Sequence, residues 1–213
     1  MPNSGSRISA LRELLQARFP QSSRAAAEVC PTGIEQVDAA AGGVPQAALT
    51  EVVCRSPSCG SQLLLGQMLC QVRARGGRMA LIDADDRFDP SFWPPPALAS
   101  LVWVRCSAPE QAVPAADVLA RDANFACVAM DLRDTALPVL RRVPPTAWYR
   151  LQRAVEQSAA ALIVLTSFPL IPSARLRLDL TQSHSLTAQA EERSALCTSL
   201  PVLLQRQRLA AAG

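Results

Sequence analysis

The sequence predicts an α/β domain: a mainly parallel, twisted sheet flanked by helices, with antiparallel strands at its C-terminal edge. Three observations carry this. The runs "MALID" (79–83), "FACVAMD" (125–131) and "ALIVLTS" (161–167) are almost continuously apolar, as strands covered on both faces are. Amphipathic segments with helical spacing separate them, the alternation that builds a parallel sheet. After Pro172 the pattern changes, and "ARLRLDL" (174–180) alternates polar with apolar residues, as a half-exposed antiparallel strand does.

In chain order, residues 7–18 space Ile8, Leu11, Leu14 and Leu15 on one helical face, and Phe19-Pro20 ends that helix. Residues 20–31 read as a linker, which divides the chain into an N-terminal helix and linker (1–30) and a core domain (31–209). Gly42-Gly43 and Pro45 mark a turn. "ALTEVVC" (48–54) reads as a strand, and residues 61–75 as a helix stopped by Gly76-Gly77. "MALID" is a second buried strand and "LVWVRC" (101–106) a third, followed by a helix over 109–121. "FACVAMD" is the fourth strand, ending on Asp131. Residues 146–158 form a helix that turns Trp148, Leu151 and Val155 inward, and "ALIVLTS" is the fifth strand. "HSLTAQA" and "PVLLQRQ" are expected to continue the antiparallel edge.

Composition narrows the chemistry. The 213 residues are 49% hydrophobic, enough for a large core. No apolar run reaches the ~18 residues of a membrane span, and the first twenty residues hold no block of signal-peptide type. A cytoplasmic protein is therefore expected. The net charge of +3 is too small to argue for nucleic acid by itself. All 21 basic residues are arginine, so no ammonium side chain is available for phosphate, Schiff-base or general-base work. His184 is the single histidine; it lies in a Ser-rich segment and reads as a surface residue. The seven cysteines include no CxxC pair and are expected to be reduced, without a zinc site. Trp93, Trp103 and Trp148 read as core or loop anchors. Stacking on single strands needs aromatics interleaved with basic residues.

The stretch "EVVCRSPSCGSQLLLGQML" (51–69) has the outline of a phosphate loop: a strand, a Ser/Pro/Cys/Gly turn, then a helix. A working loop reads GxxxxGK[ST], with backbone N–H groups cradling phosphates, the lysine on the outer phosphates and the hydroxyl on Mg²⁺. With Gly60 as the second glycine, Arg55 replaces the first, Ser61 the lysine and Gln62 the Ser/Thr. Ser58 lies within the same turn. A hydrogen bond to a charged group contributes ~1.5–3 kcal/mol, so losing one weakens phosphate binding roughly tenfold to a hundredfold or more. ATP and magnesium are therefore expected to bind weakly or not at all. Arg55 is the residue that could supply charge from another position.

Residues 31–45 ("PTGIEQVDAAAGGVP"), this loop, and residues 82–90 ("IDADDRFDP") together resemble the ATP-binding core of RecA-type recombinases. The resemblance covers residues 31–180 and implies a RecA-like P-loop NTPase core. It rests most on Asp83, Ala84, Asp89 and Pro90, which match the family's IDAE…DP segment. It places Asp85 where the family has its catalytic glutamate, one methylene shorter. It assigns Asp131, ending "CVAMD", to the shell of Mg²⁺. Thr166-Ser167-Phe168 stands where the family has a sensing glutamine, and "FPLIPS" where it has a long DNA-binding loop. A kept scaffold with lost chemistry is similar to the degenerate ImuA-type relatives.

That resemblance implies an accessory or adaptor protein in the SOS response to DNA damage and in translesion synthesis, lacking ATP hydrolysis and acting through protein contacts near the nucleoid. The implied partners are RecA and a Y-family-like polymerase subunit. The alternative is an enzyme, a DNA-stimulated ATPase or recombinase using Arg55. Arg141, Arg142, Arg150 and Arg153 are candidates for a DNA or partner contact, and the helix at 7–19 for self-association.

Overall fold

A computed structural model of the chain describes residues 28–207. The helix expected at 7–19 lies outside them. Two short strands, β1 (Val29–Cys30) and β2 (Val44–Pro45), pair antiparallel. Between them runs helix α1 (Glu35–Ala41). Asp38 fastens this corner: its carboxylate accepts hydrogen bonds from the Thr32 N–H (2.8 Å), the Thr32 hydroxyl (2.7 Å) and the Gly33 N–H (3.0 Å). The Thr-Gly…Asp spacing thus closes a local turn ahead of the main sheet.

The main sheet has seven strands: β3 (Ala48–Cys54), β4 (Met79–Asp83), β5 (Leu101–Arg105), β6 (Cys127–Asp131), β7 (Ala161–Thr166), β8 (Leu176–Leu180) and β9 (Val202–Gln207). Their spatial order is β5-β4-β6-β7-β3-β8-β9. Every neighbouring pair is parallel except β8 with β9. This is an α/β architecture with a mostly parallel sheet. β3, β4, β6 and β7 are buried along their whole length, as their apolar runs require.

Period-2 alternation divides the core between two faces. Cys127 and Ala129 of β6 join one cluster, with Leu64, Leu65, Met68 and Leu69 of helix α2 (Ser61–Ala74). Val128 and Met130 join the other. That second face is covered by α4 (Ala112–Leu119) and α6 (Pro145–Ser158), the short helix α3 (Pro95–Leu98) belonging to the first face. In α6, Trp148, Leu151 and Val155 point inward, as their spacing predicts. Burying each such side chain contributes roughly 1.5–3 kcal/mol. A one-turn helix, α5 (Leu137–Leu140), precedes α6, and α7 (Arg193–Thr198) precedes β9 and packs on α2.

Two expectations about the C-terminal edge need correction. β8 is parallel to β3, with Thr50 opposite Leu176 and Cys54 opposite Leu180. Only Arg177 among its residues is partly exposed. The alternation in "ARLRLDL" arises because its polar side chains are used internally. Arg177 Nε donates to buried Glu51 (2.7 Å) and Arg177 Nη2 to the Ile171 carbonyl (3.0 Å). Glu51 also accepts from the Leu170 and Ile171 N–H groups at 2.6 and 3.1 Å. Residues 186–190 form a 3₁₀ turn, so β9 is the antiparallel strand. The strand 101–105 lies at the opposite edge and is half exposed.

Candidate functional site

Loops from the C-terminal ends of β3, β4 and β6 meet at one mouth of the sheet, the side on which open α/β sheets take their ligands. The β3 loop, residues 55–60, turns sharply into α2. Ser58 (φ 54°) and Gly60 (φ 86°) both adopt the left-handed conformation, and Gly60 is the residue before the first helical turn. A side chain at Gly60 would clash with Leu200 and stand 3.2 Å from His184 Nε2. Glycine is required there on both grounds.

The start of α2 carries no acidic residue in its first turn, although a helix N-terminus favours negative charge. Two groups stand beside it. Cys59 is buried, and its thiol pKa is lowered to about 6, by Cys54 first and then, against burial, by the Ser61 N–H and hydroxyl and by Arg133. Arg133, two residues beyond the end of β6, folds back across the mouth. Its Nε and Nη2 grip Asp131 at 2.8 and 2.5 Å, and its Nη1 donates to Ser61 Oγ. Burial works against the Arg133 charge, but the Asp131 carboxylate outweighs it and the guanidinium pKa is raised. Sequence reasoning passed over Arg133. The signal available was an arginine two residues after a strand-terminal aspartate in a lysine-free chain.

The two carboxylates ending β4 and β6 are register partners. Asp83 accepts from the Arg87 N–H and Phe88 N–H, both at 2.9 Å, and from Trp103 Nε1 at 3.3 Å. It therefore holds the β4 corner closed. Asp89 receives the Ser91 N–H at 2.9 Å and starts a 3₁₀ turn at Pro90. Asp85 accepts from the Thr135 hydroxyl. Burial raises its carboxyl above the usual range against that hydrogen bond, and Asp134, Asp131 and Asp83 add to the rise.

The other sequence candidates are placed as follows. Arg55 turns away from the helix start, and its Nε and Nη2 donate to Asp179 at 3.0 and 2.6 Å. It does not supply charge to the loop; Arg133 does. Ser58 gives its carbonyl to the His184 N–H at 2.9 Å, and Ser183 Oγ donates to the Pro57 carbonyl at 2.7 Å. The segment after β8 thus lies across the loop. His184 is half-buried, with Nε2 unpartnered, so the expectation of a plain surface histidine is corrected. Packing against Gly60 is a tertiary contact invisible in its Ser-rich flanks. Gln62 points its buried Oε1 at no donor, and its carbonyl accepts from Arg193 Nη2 at 3.3 Å. Arg141, Arg142, Arg150 and Arg153 are exposed on and before α6. Arg150 Nε lies 3.4 Å from Asp117.

These residues do not fit a magnesium-bound triphosphate. The space over Gly60 is filled by Leu200 and His184, Asp131 is gripped by Arg133, and Ser61 is engaged by the same guanidinium. No helix among the described residues is long and apolar enough to cross a membrane. Among protein-family models and curated proteins, nothing matches this chain.

Proposed function

We propose that the chain is a RecA-like P-loop domain whose nucleotide site has been given over to structure, and that it serves as an adaptor in the response to DNA damage. The resemblance of residues 31–45, 51–69 and 82–90 supplies the family. The single observation carrying the loss of hydrolysis is the Asp131–Arg133–Ser61 network. A carboxylate held by a guanidinium is not available to order a metal shell, and phosphoryl transfer rests on that electrostatic stabilisation. The implied partners are RecA and a Y-family-like polymerase subunit, with the chain associated with the nucleoid. The exposed arginines 141, 142, 150 and 153 are the surface offered to a partner or to DNA.

The test is turnover of radiolabelled ATP by purified protein, alone, with single-stranded DNA, and with RecA filaments. The expected result is background release in all three. Turnover abolished by Asp131→Asn would overturn the reading. It would favour the second one, a DNA-stimulated ATPase, which draws on one observation: Arg133 places a cation at the start of α2. Pull-down from DNA-damaged cells tests the adaptor role directly. Recovery of the recombinase or polymerase subunit is expected, with loss on replacing all four arginines by alanine.

A further inference from the structure

Positive charge is unevenly placed in this chain. Residues 135–155 hold four arginines and no aspartate or glutamate, so this one segment carries more positive charge than the net +3 of the whole chain. It runs from α5 into α6, and Arg141, Arg142, Arg150 and Arg153 are all exposed. Among the described residues, Arg141, Arg142 and Arg153 form no ion pair. Arg150 shares Asp117 with Arg121, which holds that carboxylate more closely, at 2.9 Å against 3.4 Å. Glu156, the next acid along α6, accepts instead from Gln152 at 3.0 Å. Tyr149, the single tyrosine, lies between these cations in the chain and is 52% exposed. The core takes Trp148, Leu151 and Val155, which turns Tyr149 and Arg153 outward together, one helical turn and about 6 Å apart. A lone exposed ring is ordinary. A ring set within "RRVPPTAWYRLQR" (141–153) joins the two elements that hold single strands, a cation and a stacking face.

Resting on the proposal that these arginines form a contact surface, we infer that the surface binds single-stranded nucleic acid, Tyr149 stacking on an unpaired base while the arginines hold the flanking phosphates. An unpaired base offers the flat face that the exposed ring needs, and such stacking is indifferent to base sequence. A guanidinium meets phosphate oxygens with two donors at once, and arginine is the only basic residue type besides the one histidine. The carboxylates of an acidic polypeptide would satisfy the same charges but bring no aromatic face to Tyr149. A duplex keeps its bases stacked on each other and away from the ring. α6 covers the second face of the sheet, whereas α2 belongs to the first, so the surface stands apart from the start of α2 and binding there needs no nucleotide at the mouth.

The experiment is fluorescence anisotropy of labelled oligo(dT) and oligo(U), each of about 20 nucleotides, titrated with the full chain. A DNA duplex of equal length and polyglutamate serve as competitors. Binding of a single strand is expected, the two arms telling DNA from RNA. Three unpaired arginines give a log–log salt slope of about −2. Tyr149→Ala should weaken binding about tenfold or more, and Tyr149→Phe should keep it, since stacking needs the ring and not the hydroxyl. Arg142→Ala with Arg153→Ala should flatten the salt slope to about −0.7. Duplex binding at least as tight as single-strand binding overturns the inference, because a surface that reads charge alone prefers the denser phosphates. Displacement by polyglutamate as effective as by unlabelled oligo(dT) also overturns it and marks an acidic protein as the partner. Both preferences are measured on the unsubstituted chain, so they decide the matter even where a variant fails to fold. Absence of single-strand binding sinks this inference alone, because ATP turnover and recovery of the partner proteins are separate measurements of the adaptor role.

Discussion

Asp83 and Asp131 end adjacent strands in register, yet their corners are built differently. At Asp83 the partners are two backbone N–H groups of the following turn and an indole. At Asp131 the principal partner is one long side chain, Arg133. The first corner is a piece of backbone architecture. The second is an ion pair laid across the start of α2, and a single substitution can remove it. The comparison teaches that a motif's aspartates divide by the kind of partner they find, which their spacing does not reveal.

The largest effect is expected at the first corner. Asp83→Ala strands two N–H groups and an indole N–H in a buried site, at about 1–3 kcal/mol each. A loss of about 4 kcal/mol should appear as a lowered denaturation midpoint, with Asp83→Asn losing less. Equal losses for the two substitutions would break the picture of a corner held by acceptor geometry.

Next in size is Arg133→Ala, which leaves Asp131 nearly buried and unpaired at a cost of about 3 kcal/mol. Asp131→Asn with Arg133→Gln should regain more than half of that in the same unfolding measurement, because an amide pair carries no stranded charge. A double variant no better than Arg133→Ala would show that the pairing is not what holds this corner.

The pH dependence of Cys59 sharpens the comparison further. The Cys54 hydrogen bond lowers its pKa first, burial opposes, and the Ser61 N–H, the Ser61 hydroxyl and Arg133 bring it to about 6. The thiolate is therefore present above that pH and lost below it. Alkylation of Cys59 by iodoacetamide, followed by mass spectrometry, should slow about tenfold between pH 7.5 and pH 5. Arg133→Ala should move the midpoint upward.

The smallest effect is at Asp85. Its raised pKa means that the fold prefers the protonated form, so this contribution to stability is present at low pH and lost as pH rises through the raised value. Asp85→Asn keeps a partner for Thr135 and should raise Tm by a few degrees at pH 7. The gain should vanish below about pH 4, the ordinary carboxylate range. An unchanged Tm at pH 7 would count against buried charge at this position.

Much of the fold was legible because its signals are local. β3 and β4 run over the same residues that their apolar patterns mark, and α2 and α6 follow their helical spacing within a residue or two. The direction of β8 was not legible, because Asp179 and Arg177 give it the alternation of an exposed strand while pairing inward with Arg55 and Glu51. The site was legible in outline only. Gly60, Ser61 and Asp131 do lie together, but Arg55 leaves for Asp179, and Arg133 and His184 join from segments that the motif does not contain.

The sequence by itself determined which segments become strands and helices, and that no lysine could serve the loop. Periodicity and composition are properties of neighbouring residues, and burial on one or two faces writes them directly into the chain. The tertiary structure alone decided which cation meets Asp131 and what covers Gly60. Those outcomes depend on side chains reaching across strands far apart in sequence, where distance in space, and not spacing along the chain, sets the partner.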